Sequence, residues 1–284
     1  MARVINRKLK YENQEIGNCS LSYHLEKVSD FERVSLFKKG IDKTVNESTV
    51  FCDLGCGTGI FSIYAARKAK KVYAVEIDDN IYKVAKENIE KSGLSEKISL
   101  LKKDASTIEL PGKVDVVFCE MLSIWMIEGP QIVVMNHAVK ELLKPNGTII
   151  PGKVINLAEL CNFDYVFDNI QMKAPIAQFA GIKRPRIMTE SNVFYVISFQ
   201  EVNPREINHT VEFNALTSGV INSVRLSSIV KITDGINFYS TDSLMPLTIV
   251  PLKNELYVTE GQKINLTANY THTERLDKVC FEIK

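Results

Sequence analysis

One stretch constrains this chain more than any other: Val50-Phe51-Cys52-Asp53-Leu54-Gly55-Cys56-Gly57-Thr58-Gly59. Val50–Leu54, apolar but for Asp53 and followed by glycines, reads as a buried strand that ends in a tight turn. Glycine at 55, 57 and 59 lets the backbone bend and approach a ligand that a side chain would hold away. The helical pattern that follows, with Phe61, Ile63, Tyr64 and Ala66, aims its free N–H groups back at that ligand. Glu76 closes a second apolar strand, Val72-Tyr73-Ala74-Val75, 21 positions after Gly55. That is where a strand-two carboxylate grips ribose hydroxyls. The pattern predicts a site for an adenosine-containing cofactor.

The spacing narrows the cofactor. Dinucleotide folds use G-x-G-x-x-G to set a pyrophosphate on a helix N-terminus. Here the run is G-x-G-x-G, with Ile60 where that pattern wants glycine, and Asp53 stands just before the turn. A carboxylate there repels a pyrophosphate and attracts an amine. S-adenosylmethionine carries an ammonium and a sulfonium and no phosphate. Asp53-Leu54-Gly55-Cys56-Gly57-Thr58-Gly59 resembles the signature of class I S-adenosylmethionine-dependent methyltransferases. That resemblance implies S-adenosylmethionine as cofactor and S-adenosylhomocysteine as product.

Along residues 46–150, strand-like and helical segments alternate. Asp78, Asp79 and Asn80 offer capping oxygens to a helix with Ile81, Val84, Ala85 and Ile89 on one stripe, and Gly93 ends it. Further strands are expected at Ile98–Leu101 and Val114–Cys119, a helix over Gln131–Leu143, and a strand from Thr148. Alternation of this kind predicts an α/β fold with a doubly wound parallel sheet, a Rossmann-like methyltransferase domain. Past Pro151 the helical period fades into short alternating runs, among them Val193–Gln200, Thr210–Phe213, Val224–Lys231, Leu247–Val250, Lys263–Ala268 and Lys278–Ile283. These predict a β-rich, barrel-like C-terminal domain over 151–284. Lys173–Arg186 reads as a loop or arm. Residues 1–45 read as a helical lid over the cofactor, with Phe31, Val34, Leu36 and Phe37 as its apolar face.

The fourth strand runs into Glu120 and then Met121-Leu122-Ser123-Ile124-Trp125-Met126-Ile127-Glu128. Ligands in open α/β sheets collect beyond the carboxyl ends of the strands, beside the switch point. That places Glu120 where a methyl acceptor would lie. On a straight helix Glu120 and Glu128 would stand about 12 Å apart at ~1.5 Å per residue, so they converge only if the segment folds back. Two converging carboxylates suit a cationic acceptor such as a guanidinium, which offers a planar fork of donors. The alternative for Glu128 is to cap the helix beginning near Pro130.

This loop and the β-rich second half resemble the protein arginine methyltransferases. That resemblance makes Glu120 and Glu128 the catalytic pair. In that family a D-x-x-R segment holds the cofactor carboxylate, and Asp30-Phe31-Glu32-Arg33 matches it, so Arg33 inherits the role. The expected cofactor set is Arg33, Asp53, Gly55, Cys56, Gly57, Glu76, Ile77, Asp104, Ala105 and Glu120. The class I resemblance puts an acid after strand three against the adenine amino group, where Asp104 stands with Ala105 beside it, while the arginine-methyltransferase pattern favours an acid nearer Ser106. The chain also departs from the family. Its glutamates are one residue closer, Met121-Leu122-Ser123 replaces a Trp-Met-Gly run, and Thr241–Leu247 lacks the family's Thr-His-Trp loop. A divergent microbial branch fits best. Trp125 is expected to pack the loop rather than wall the acceptor pocket.

Formal charge is +1 and hydrophobic content 45 % over 284 residues, so bulk electrostatics do not mark a nucleic-acid binder. No N/D-P-P-Y/F run follows the fourth strand, which weighs against exocyclic-amine nucleic-acid methylation. Six cysteines without CxxC and four unclustered histidines predict no metal and a reducing, cytoplasmic setting, and no apolar stretch predicts membrane insertion. The leading expectation is N-methylation of a protein side chain, with a protein substrate and a homodimer admitted. RNA or small-molecule methylation, and a non-catalytic cofactor-binding interaction module, are the alternatives.

Overall fold

The computed structural model describes residues 20–241 and 244–284. Helices α1 (Leu21–Ser29) and α2 (Phe31–Thr44) lead into β1 (Val50–Leu54) and α3 (Ile60–Ala66). Then come β2 (Lys71–Glu76), α4 (Asp79–Ser92), β3 (Ile98–Lys102), β4 (Val114–Phe118), α5 (Gln131–His137) and β5 (Leu143–Ile150). These five strands form one parallel sheet in the order β3-β2-β1-β4-β5. The order reverses between β1 and β4, which opens a crevice beyond the ends of those two strands. Phe51, Cys52, Leu54, Val72, Val75 and Val117 are buried, as strands covered on both faces require.

The predicted helix from Gln131 is shorter than expected. It stays α-helical to His137, passes through a π-type turn over Ala138–Leu142, and β5 already begins at Leu143. The register jumps from Val114↔Leu143 to Val116↔Thr148, so Lys144–Gly147 bulges out of the strand. On α2 the stripe Val34, Phe37 and Ile41 is buried as the spacing demands, and Leu36 is half-buried. Phe31, one turn earlier, is 84 % exposed, so it does not belong to the apolar face. Residues 1–19 of the expected lid lie outside the described residues.

From Lys153 onward the chain is almost wholly β. It comprises β6 (Lys153–Asn162), β7 (Val166–Phe167), β8 (Ile170–Gln171), β9 (Ile176–Ala177), β10 (Arg186–Ile187) and β11 (Asn192–Ser198). Next are β12 (Glu206–Asn214), β13 (Gly219–Thr233), β14 (Ile236–Tyr239), β15 (Thr248–Val258), β16 (Lys263–Thr271) and β17 (Cys280–Ile283). The larger sheet runs β10-β6-β13-β15-β9, with β11 also on β6 and β14 also on β13. The smaller is β12-β16-β17, and β7 with β8 makes a separate hairpin. All these pairings are antiparallel. Alternate residues of β13 and β16 point inward, and their apolar side chains join those of the parallel sheet in one continuous core.

Among the described residues, Cys52, Cys56, Cys119, Cys161 and Cys280 are free thiols, no group of His, Cys, Asp or Glu is arranged to hold a metal ion, and no helix is long and apolar enough to cross a membrane.

Candidate active site

The glycine turn caps the carboxyl end of β1. Gly55 and Cys56 donate their N–H groups to the Val75 carbonyl at 2.9 and 2.8 Å, folding the turn over β2. Gly55 and Gly57 adopt φ of +75° and +56°, which side chains resist. Space is as restrictive as conformation. A Cβ on Gly55 would lie 2.8 Å from the Met121 Sδ, and one on Gly57 would lie 2.9 Å from the His24 Nδ1. Helix α1 and the loop after β4 thus close over the turn from two sides.

Glu76 ties the turn to the end of β2. Its Oε2 accepts the Gly57 N–H at 3.0 Å, and its Oε1 accepts those of Ile77 and Asp78 at 2.8 and 2.9 Å. A carboxylate can accept about four hydrogen bonds, so Oε2 retains capacity for a hydroxyl. Asp53, buried in β1, accepts the Ser62 hydroxyl at 2.6 Å. Burial pushes its pKa up to about 7; the Ser62 bond opposes this, and the charges of Glu76 and Glu120 add to it. Burial likewise raises Glu76 and Glu120. Three desolvated carboxylates around one crevice favour a cationic ligand.

Glu120 emerges just past β4, at the switch point. Its carboxylate pairs with the Arg33 guanidinium, whose side chain is 3 % exposed. Arg33 is held there by its own helix cap. Asp30 accepts the Arg33 backbone N–H at 3.0 Å, and the Arg33 Nε and Nη2 donate to the Lys27 carbonyl at 3.2 and 2.6 Å. The D-x-x-R spacing is therefore an N-cap that turns its arginine inward. The charges of Arg33 and Lys27 offset part of the burial effect on Glu120.

The loop between the two glutamates folds back. Met126 and Ile127 donate N–H groups to the Ser123 and Ile124 carbonyls, and the Ser123 hydroxyl donates to the Glu128 carbonyl. At its apex Trp125 and Met126 both take left-handed φ, 54° and 55°, an unfavourable conformation for large side chains. The β-rich half holds that apex. Trp125 Nε1 donates to the Leu157 and Ser227 carbonyls, both at 3.1 Å, and its ring stacks on Phe194 at 4.7 Å. The Asn156 amide donates to the Trp125 carbonyl, and Thr273 N–H to the Ile127 carbonyl at 2.7 Å. Trp125 therefore packs the loop onto the second half and does not face the crevice.

Glu120 and Glu128 end up at the two limbs of this loop, but their side chains engage different partners. Glu128 is exposed, and its Oε1 accepts the Leu276 N–H at 3.3 Å. Arg33, Asp53, Gly55, Cys56, Gly57, Glu76 and Glu120 come together around the crevice, and Ile77 follows at its rim. Asp104 and Ala105 lie after β3, half-buried, where the Asp104 Oδ1 accepts the Ser106 N–H and hydroxyl at 2.8 and 2.7 Å. Met121, His24 and Gln131 were not legible as site residues. A methionine, a histidine on a polar helix and a glutamine at a helix start carry no spacing signal. The four histidines each contact a neighbouring element: His24 over Gly57, His137 on the Ile108 carbonyl, His209 against Phe194, and His272 on the Met126 carbonyl. Of the Thr241–Leu247 segment, Asp242 and Ser243 lie outside the described residues, while Thr241 donates to the N-cap Asp30 at 3.3 Å.

A family described as a methyltransferase domain matches residues 51–147. An uncharacterised protein of Methanocaldococcus jannaschii is 32 % identical over 86 % of this chain and 91 % of its own length. Protein arginine N-methyltransferase 1 of Saccharomyces cerevisiae is 33 % identical over 56 % of this chain and 47 % of its own length. In overall fold the chain resembles the Trypanosoma brucei PRMT1 enzyme–prozyme heterotetrameric complex with AdoHcy (TM-score 0.75, 17 % identity, 93 % of this chain and 98 % of that one). A glycine turn with no room for a Cβ, the buried carboxylates of Asp53 and Glu76 and the largely buried one of Glu120 fit S-adenosylmethionine as the cofactor. Residues 51–147 match a methyltransferase domain, and the chain is an S-adenosylmethionine-dependent methyltransferase similar to the protein arginine methyltransferases.

Proposed function

We propose that this enzyme N-methylates a protein side chain, with an arginine guanidinium as the acceptor. The observation that carries the reading is Glu120 at the switch point, on one limb of a folded-back loop whose other limb carries Glu128. S-adenosylmethionine supplies the electrophilic methyl group when bound. Arg33 is assigned to its carboxylate, Asp53 with the Gly55–Gly57 turn to its charged end, Glu76 and Ile77 to its ribose, and Asp104 with Ala105 to its adenine. Glu120 and Glu128 are the carboxylates assigned to the acceptor. Glu120 pairs with Arg33 and Glu128 with the Leu276 N–H. Both must therefore turn toward the acceptor to hold the guanidinium fork, and one of them takes the proton released as nitrogen is alkylated. A guanidinium pKa of ~13.8 makes full deprotonation before transfer implausible, so the proton leaves as the nitrogen is alkylated. Alignment and exclusion of water then supply most of the rate, on the order of 7–11 kcal/mol for well-oriented reactants.

Residues 20–45 of the segment 1–45 serve as the lid, 46–150 as the cofactor domain, and 151–284 as the support of the catalytic loop. The β7–β8 hairpin and its flank expose Val166, Phe167, Ile170 and Met172, which suits a homodimer contact and is tested by sedimentation at increasing concentration. Cell extract incubated with methyl-labelled cofactor and then with protease or nuclease tests the acceptor class. Protease-sensitive label is expected. Nuclease-sensitive label would move the reading to RNA, and label in neither polymer to a small molecule.

A further inference from the structure

The backbone on either side of Glu120 is held by a side chain. In a parallel ladder the Cys119 carbonyl would be taken by the N–H of Gly152, since the Cys119 N–H already donates to the Ile150 carbonyl at 3.0 Å. That donor is diverted: the Gly152 N–H goes to the Lys231 carbonyl on β13 at 2.9 Å. Gln131, at the first position of α5 and 1 % exposed, fills the gap. Its Nε2 donates to the Cys119 carbonyl at 3.0 Å, and its Oε1 accepts the Met121 N–H at 2.8 Å. One amide thus satisfies the two backbone groups that flank Glu120, as a neighbouring strand would do.

We infer that Gln131 is a positioning residue that fixes the backbone at Glu120 and so aims its carboxylate into the crevice. This rests on the reading of Glu120 as the acceptor carboxylate. Only a carboxamide fits without loss. Glutamate keeps the acceptor but, when ionised, loses the donor. Methionine keeps the volume and loses both. The hydrogen bonds of the Gln131 amide go to Cys119 and Met121 and not to the glycine turn or Arg33, so cofactor affinity is expected to move less than turnover.

Gln131→Met and Gln131→Glu test the inference through turnover, cofactor binding by calorimetry, and hydrogen exchange of the Met121 amide. Turnover is expected to fall at least tenfold in both variants, with cofactor affinity within threefold of wild type. The Met121 amide of Gln131→Met is expected to exchange at least tenfold faster. Turnover within twofold of wild type in both variants would overturn the positioning role while leaving the reading of Glu120 intact. Should the wild type bind cofactor and methylate no acceptor, the functional reading fails by itself. Exchange then decides: faster exchange at Met121 in Gln131→Met upholds the clamp, and an unchanged rate overturns it. If neither variant folds, the wild-type Met121 amide decides: protection as strong as that of Cys119 upholds the clamp, and exchange at the rate of an open loop overturns it.

Discussion

Arg33 and Glu120, 87 residues apart in the chain, meet as a buried ion pair at the mouth of the crevice. One belongs to an N-capped helix laid across the sheet, the other to the loop leaving the sheet at its switch point. The pair joins the group assigned to the cofactor carboxylate to the group assigned to the acceptor. Breaking a buried pair from one side leaves an uncompensated charge, at a cost of about 3–5 kcal/mol. Arg33→Met is therefore expected to lower unfolding free energy by roughly that amount and to weaken S-adenosylmethionine binding at least tenfold, measured by denaturation and calorimetry.

Glu120→Gln keeps the volume and removes the charge. Turnover is expected to fall about 10²–10³-fold or more, the range for loss of one preorganised electrostatic group. Cofactor affinity is expected to change by less than tenfold. Single-turnover kinetics beside calorimetry separates the two effects.

Asp53 makes both stability and binding depend on pH. Its folded pKa of about 7 lies above the ordinary value of 3.8, so the folded state holds the proton that the unfolded state has released. The stability this contributes is full below about pH 4 and is lost as pH rises through 7. At about 1.36 kcal/mol per unit the span is at most about 4 kcal/mol. Asp53→Asn is expected to flatten that decline. Ionised Asp53 attracts the cationic cofactor, so wild-type affinity should rise between pH 6 and 8, and the rise should shrink in Asp53→Asn. Calorimetry across that range checks it.

Gly57→Ala puts a methyl group against the His24 ring and forces alanine into φ of +56°. The conformation alone costs about 1–2 kcal/mol. Cofactor affinity is expected to fall at least tenfold, with a smaller drop in thermal stability.

Trp125→Phe keeps the stack on Phe194 and removes the Nε1 donor to the Leu157 and Ser227 carbonyls. Leaving buried carbonyls unpaired costs about 1–3 kcal/mol, so stability should fall by that order. The acceptor KM should stay within twofold, because the indole packs against the β-rich half. A selective rise in acceptor KM would instead put the ring in the acceptor pocket.

The cofactor half was legible because its chemistry lies in short local patterns. The glycine spacing, Asp53 before it and Glu76 after it are each set within one strand–turn–helix unit. The Asp30–Arg33 relation was legible as a motif and proved to be a helix cap. What escaped depends on contacts between distant segments. β6 reads Val-Ile-Asn-Leu-Ala-Glu-Leu, and its alanine, glutamate and leucines favour helix, yet pairing with β11 on one side and β13 on the other makes it a central strand. Gln131 is an unremarkable polar residue until Gly152 gives its N–H to β13. The fold-back of the loop after Glu120 was legible only as a condition, since its left-handed apex is held by Asn156, Ser227 and Thr273 from the other half.

The most direct test is to hydrolyse protein labelled by the enzyme with methyl-tagged S-adenosylmethionine and to separate the amino acids. The account predicts label in methylated arginine, absent when Glu120→Gln replaces the wild type. Label in another residue, or methylarginine formed undiminished by Glu120→Gln, would contradict it.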